Sequence, residues 1–395
     1  MTESFDAIVV GTGVVGASTA FHLAKLGNLK VCVLDRAGLC EGGTAKSCAI
    51  VRSHYSVVSN TALTLKSLEI FDRFQDWLES GEAASGFVRT GYLIVAPEGP
   101  RAAAMREALR GQQRVGAKTF ELSREAAREI HPLLSLDDIA IAAYEPESGY
   151  ADPYLTTTSF LNAARRRGAA VRANRAVTAV RVAGGRVTGV DTAEGPLSAP
   201  LVVLACGPWS RRLTDPLGLD LRLEVSQHTV LTLAADTPYD ARYPIVKDLS
   251  TDNKMYFRPA SGGVALVGTG DYGRPLDGPE ALDEIVSDGF VLLQGGQISR
   301  RMPCFETARL TASWTGAYDI TPDWNPVLGL VDGLEGLSLN CGFSGHGFKL
   351  APAVGLVLAQ EILGQPQSVD VSAYDLGRFA RGEPLLGAYG EGSIS

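Results

Sequence analysis

Residues 11–16 read Gly-Thr-Gly-Val-Val-Gly, directly after the apolar run Asp6 to Val10 and at the head of a helical pattern that spans Val14 to Leu26. A second apolar run, Leu29 to Leu34, follows and ends on Asp35, nineteen positions after Gly16. The order predicts strand, tight turn, helix and parallel strand, which is the context a dinucleotide fingerprint requires. Gly11 permits the turn, Gly13 lets backbone approach a pyrophosphate, and Gly16 lets helix and strand pack closely. Val14 and Val15 then open a helix whose N-terminal N–H groups face the phosphates, and Asp35 is placed to accept hydrogen bonds from a ribose. The motif alone does not separate FAD from NAD.

Beyond this opening, the apolar spacing predicts helices over Asn60–Leu78, Arg101–Arg114, Ser123–Ile130 with Ser123 as N-cap, Pro153–Arg167, Ala281–Leu293 and Leu350–Leu363. Strands are predicted over Gly86–Pro97, Ala169–Arg172, Val177–Val182, Arg186–Asp191, Leu197–Leu204, Leu221–Ala235, Met255–Arg258, Gly263–Gly268 and Leu337–Asn340. Dinucleotide-type elements at both ends, with longer antiparallel strands between them, predict an α/β fold. A Rossmann-like cofactor domain (residues 1–84, 145–212 and 318–395) is expected to interleave with a mainly antiparallel, α+β substrate domain (residues 85–144 and 213–317).

Composition narrows the function. With 36 Lys+Arg against 44 Asp+Glu the net charge is −8, and no basic run is present, which argues against nucleic acid or an anionic membrane surface as partner. Six cysteines lie scattered without ligand spacing, so no metal site and a reduced, cytoplasmic setting are expected. The apolar stretch from Ala7 to Ala24 is Gly-rich and follows Glu3 and Asp6, so neither a membrane span nor an export signal is expected. Glycine is abundant, 44 of 395 residues or about 11% against a usual ~7%, and clusters at turns, as backbone approaching a large ligand would require.

Four blocks in this order carry a family resemblance: the fingerprint, Ala49-Ile50-Val51-Arg52-Ser53-His54-Tyr55, Val202-Val203-Leu204-Ala205-Cys206-Gly207-Pro208-Trp209-Ser210, and Gly342-Phe343-Ser344-Gly345-His346-Gly347-Phe348-Lys349. The sequence resembles the D-amino-acid-oxidase-type FAD-dependent oxidoreductases, in the sarcosine oxidase and glycine oxidase branch. The resemblance implies FAD in extended form. Asp35 and Arg36 would hold the adenosine, Val177 the adenine side, and the turn of Gly43, Thr44, Ser47 and Cys48 the pyrophosphate and ribityl region. Ala205, Gly207 and Trp209 would pass beside the cofactor. Gly342, Gly345, His346, Gly347, Phe348 and Lys349 would meet the flavin, where N–H groups at a helix start stabilise the negative charge of the reduced ring.

The same resemblance implies that Arg52 and Lys349 bind a substrate carboxylate, an arginine fork and a lysine point charge suiting that role. The strand Met255-Tyr256-Phe257-Arg258-Pro259 would then cover the substrate face, with Tyr256 as pocket wall or hydrogen-bond donor, and His54 is a weaker candidate. The implied reaction is oxidation of the C–N bond of a small amino acid or N-methyl amino acid to an imine that hydrolyses, with O2 or another electron acceptor as the second partner. Alternatives are a 2-hydroxy acid dehydrogenase, in which His54 or His228 would act as base, and a flavin-binding subunit of a larger oxidase complex.

Two positions depart from the monomeric sarcosine oxidases. Gly316 stands where those enzymes tether FAD through cysteine, so attachment there is impossible and non-covalent FAD is expected. Val264 to Val267 replace the lysine that follows their Gly-Gly pair, here Gly262-Gly263, which leaves the choice between oxidase and dehydrogenase open.

Overall fold

The computed structural model describes residues 3–389. Its nucleus is a six-stranded sheet in the order 170–172, 31–34, 7–10, 201–204, 337–341, 327–330, parallel except for the last strand. The strands Ala7–Val10, Val31–Leu34 and Leu201–Leu204 are buried throughout, as expected of parallel strands covered on both faces. The helices Val14–Gly27, Pro153–Arg166 and Gly347–Ile362 cover one face. A four-stranded sheet covers the other, through Val180, Val187, Val190 and Leu197 against Ile8, Cys32, Leu34, Val202 and Leu204.

A nine-stranded sheet forms the second body. The strand Glu224–Ala234 pairs with Val264–Gly268, Arg274–Leu276 and Arg309–Ile320, and the sheet continues through Tyr256–Ala260, Ile245–Asp248, Tyr92–Ala96 and Ile141–Glu145 to Phe120–Leu122. Alternation along the strands divides its side chains. Leu93, Val95, Val246, Phe257 and Val267 pack with Ile298 and Met302 on one face, while Tyr92, Ile94 and Ile245 face the helix Pro100–Arg114 on the other. Among the described residues no helix is long and apolar enough to cross a membrane.

Several elements differ from expectation for identifiable reasons. The helix expected over Asn60–Leu78 is two, Val58–Asp72 and Phe74–Leu78, because Arg73 leaves helical geometry at φ −116°, ψ 33°. The strand expected over Leu197–Leu204 is cut at Pro200, so that Leu197–Ser198 joins the small sheet and Leu201–Leu204 the parallel one. The helix expected over Ala281–Leu293 is Asp288–Arg301, started by Ser287, whose side chain accepts from the Phe290 amide. Ser123 caps Arg124–Ile130 as expected. The helix expected from Leu350 begins three residues earlier, at Gly347.

Candidate functional site

A cleft of about 780 Å³ runs along the C-terminal ends of the parallel strands, where ligands of open α/β sheets bind. Gly11, Gly13, Val14, Val15, Asp35, Arg36, Gly43, Thr44, Ser47, Val177, Ala205, Gly207 and Trp209 all line it. Gly11 sits at φ +115°, and a Cβ there would lie 2.3 Å from the Ala205 carbonyl oxygen. Gly16 stays behind the wall, where a Cβ would meet the Gly11 oxygen at 2.1 Å. One end of the cleft is formed by Arg36 stacked 4.3 Å over the Trp209 ring, with both side chains bonded to Glu280 at 3.1 and 2.8 Å. Asp35 is fixed by Thr12 and by the Ala37 amide, yet still borders the cleft. Thr44 Oγ1 takes the Val14 amide at 3.1 Å and so closes part of the helix start.

Ser47, Tyr318, Gly345 and Phe348 line both this cleft and a smaller cavity beyond it. The cavity holds Cys48, Arg52, Tyr92, Lys247, Tyr256, Asp271, His346 and Lys349. The Gly342–Lys349 turn reaches this junction because Gly345, at φ +84°, passes against the Tyr318 ring, which a Cβ would meet at 2.3 Å. His346 then precedes the helix Gly347–Ile362, whose N-terminus has no side-chain cap. His346 Nδ1 contacts Tyr55 Oη at 3.2 Å, and the buried Nε2 has no partner among the described residues. Bare backbone at the fingerprint, an uncapped helix start and an orphaned ring nitrogen at the junction together fit a long phosphate-bearing cofactor with a polar ring.

Arg52 and Lys349 come from distant segments to one aromatic ring, Tyr55, lying 4.4 and 6.0 Å from its centroid. Both are buried, and an Arg52 N–H donates to the His54 carbonyl. Burial, with Arg52 and Lys247 nearby, holds the Lys349 ammonium well below the usual lysine value. Tyr256 Oη lies 3.1 Å from Cys48 Sγ, and burial together with that thiol pushes the phenol well above its usual value. Sequence reasoning missed the lining residues Tyr92, Asp271, Tyr318 and, the one cation among them, Lys247. It stands on the four-residue strand Ile245–Asp248, in a stretch whose short Ile-Val pair gives little periodicity. Register across Tyr256 puts it on the face that carries Tyr92 and Tyr256.

Other candidates stand elsewhere. His54 does not line the cavity: its Nε2 lies 2.7 Å from Tyr389 Oη, its Nδ1 is 3.6 Å from Glu145, and burial keeps its pKa below the ordinary value. It belongs to the scaffold that holds Arg52 by its carbonyl. His228 contacts Ser226 at 2.8 Å and stacks 3.7 Å from Tyr318, outside the cavity lining. Gly316 lies against Lys46, one residue short of the cleft wall at Ala317, and Gly342 lies behind it, donating its amide to Asp319 at 2.7 Å. Arg258 braces the Cys48 carbonyl at 2.9 Å and does not enter the cavity.

The fold and cleft define a flavoprotein oxidoreductase, and comparison with known proteins agrees. The model of the FAD dependent oxidoreductase family, DAO, matches residues 6–361, and the chain belongs to that family, whose cofactor is FAD. The chain is 28% identical over 94% of its length to 4-methylaminobutanoate oxidase (formaldehyde-forming) of Paenarthrobacter nicotinovorans and 28% identical over 96% to mitochondrial sarcosine dehydrogenase of Mus musculus. It spans 45% and 42% of those two proteins, less than half of either. It is 27% identical to sarcosine oxidase subunit beta of Arthrobacter sp., with 100% of this chain and 95% of that one covered. Among solved structures, L-proline dehydrogenase from P. horikoshii matches at a TM-score of 0.89 and 26% identity, covering 97% of this chain and 100% of that one. Glycine oxidase from Geobacillus kaustophilus matches at 0.83 and 25%, covering 95% and 99%.

Proposed function

We propose that this chain oxidises the C–N bond of a small amino acid or N-methyl amino acid to an imine, which hydrolyses in water. The observation that carries the reading is the pairing of Arg52 and Lys349 at the inner end of the FAD cleft, because such a pair suits a carboxylate. FAD, when bound, would supply the two-electron acceptor that this oxidation needs. The protein's own part is positioning. Arg52 takes the carboxylate with its planar fork, Lys349 adds a second charge, and the walls of Tyr92, Tyr256 and Tyr318 exclude water from the reacting carbon.

A hydroxy acid would need a base on the cavity wall. The partners of His54 and His228 turn both away, and the imidazole left on the wall is His346, whose Nε2 has no partner among the described residues. FAD would be held without a covalent bond at position 316, since glycine offers no nucleophile. The relatives named above, whose own substrates include sarcosine and proline, support the substrate class. Replacing Arg52 with Met should weaken carboxylate ligands by about 2–5 kcal/mol, and Lys349→Met should act in the same direction. Ligand titrations followed through the flavin absorption band would show it, and unchanged affinity in both variants would remove the carboxylate site.

A further inference from the structure

Residues 277–287 link the strand Arg274–Leu276 of the large sheet to the helix Asp288–Arg301, and apart from a single turn at Pro279–Ala281 they belong to no helix or strand. They nevertheless lie along the long cleft of the other body, where Leu282 and Glu284 form part of its lining. Side chains hold them there. Glu280 Oε1 accepts from Arg36 at 3.1 Å and from the Trp209 indole at 2.8 Å, and its Oε2 lies 2.6 Å from Arg212. All three partners line the cleft: Arg36 follows the strand Val31–Leu34, and Trp209 and Arg212 follow Leu201–Leu204. Farther along, Glu284 stands 3.8 Å from Lys46, another lining residue. The large sheet holds the segment at Asp283, whose amide donates to Gln227 Oε1 at 3.1 Å and whose carbonyl accepts the Thr315 hydroxyl at 2.7 Å.

We propose that residues 277–287 are a strap over the FAD cleft and that Glu280 is its latch, so that the cofactor enters and leaves only while Glu280 has released Arg36, Trp209 and Arg212. Segments without ladder hydrogen bonds open locally at low cost. The Glu280 side chain is half exposed, so its ion pairs are individually weak and are screened by salt. The same carboxylate fixes Arg36 over the Trp209 ring, and opening the strap therefore loosens the end wall of the cleft together with its cover. The proposal concerns FAD exchange and does not depend on the substrate. A latch differs in kinetics from a contact to the bound cofactor: removing a contact speeds release alone, whereas removing a latch speeds entry as well.

The test measures both rates by flavin fluorescence: release on dilution of the FAD-loaded full chain, and entry on mixing FAD with the same chain stripped of it. Glu280→Ala should speed both by about ten-fold, the combined effect of two exposed ion pairs and one hydrogen bond. Glu280→Gln, which keeps an acceptor for Trp209 and loses the charge, should lie between. Salt should speed release from the unaltered protein and have much less effect on Glu280→Ala, whose latch is already gone. Unchanged rates in Glu280→Ala would overturn the latch. Faster release with unchanged entry would overturn it too, by showing that Glu280 merely steadies the bound cofactor. Whether or not either variant folds, salt-independent release from the unaltered protein would overturn the proposal by itself.

Discussion

Asp319 shows how one residue ties the turn to the cleft. Its carboxylate accepts the Gly342 amide at 2.7 Å, its carbonyl accepts the Ser344 amide at 3.0 Å, and burial raises its pKa to about 6. The raised value gives the sign of its effect. The neutral acid is favoured in the fold, so its stabilisation is complete below the unfolded value near 3.8 and is lost as pH rises through about 6. The shift corresponds to about 3 kcal/mol. Asp319→Asn, which keeps an acceptor for Gly342, should therefore gain stability relative to the parent protein between pH 4 and pH 7, as read by urea unfolding at each pH. A difference that stays constant with pH would show that the carboxyl does not titrate in that range.

At the scale of elements, the first turn of the fingerprint is the most demanding. Gly11 has φ +115° and its Cα faces the Ala205 carbonyl, so Gly11→Ala must move either the helix Val14–Gly27 or the strand Leu201–Leu204. FAD retention should fall at least ten-fold, measured as flavin lost on gel filtration, together with a lowered thermal midpoint; full retention would mean that the turn tolerates another path. This element is legible in sequence because glycine spacing and a buried apolar run are local signals. The strand Arg309–Ile320 is not. Its first five residues are exposed, Gly316 breaks the alternation of Leu310, Ala312 and Trp314 with Thr311, Ser313 and Thr315, and its partner Glu224–Ala234 lies over seventy residues away. The helix at 288–301 is hard to place from sequence because apolar residues extend back past its true start, which Ser287 sets. Likewise, Arg52, Lys349 and Tyr256 can be named from motifs, whereas Lys247 enters the cavity only through the register of Ile245–Asp248 beside Tyr256, a non-local fact.

For the whole molecule, the two bodies have separate roles. The parallel sheet and its turns line the long cleft, and one face of the large sheet supplies Tyr92, Lys247 and Tyr256 to the small cavity at its end. The cavity's lining carries Arg52, Lys247 and Lys349 with one acid, Asp271, and His54 and His228 are bonded elsewhere. The most direct test of the proposed amine oxidation is the visible absorption spectrum of the purified protein, kept anaerobic, before and after adding amino acids, N-methyl amino acids and 2-hydroxy acids. A flavin band that bleaches with amino or N-methyl amino acids and not with hydroxy acids is the expected result. Bleaching by hydroxy acids alone, or a protein that cannot take up FAD, would contradict it.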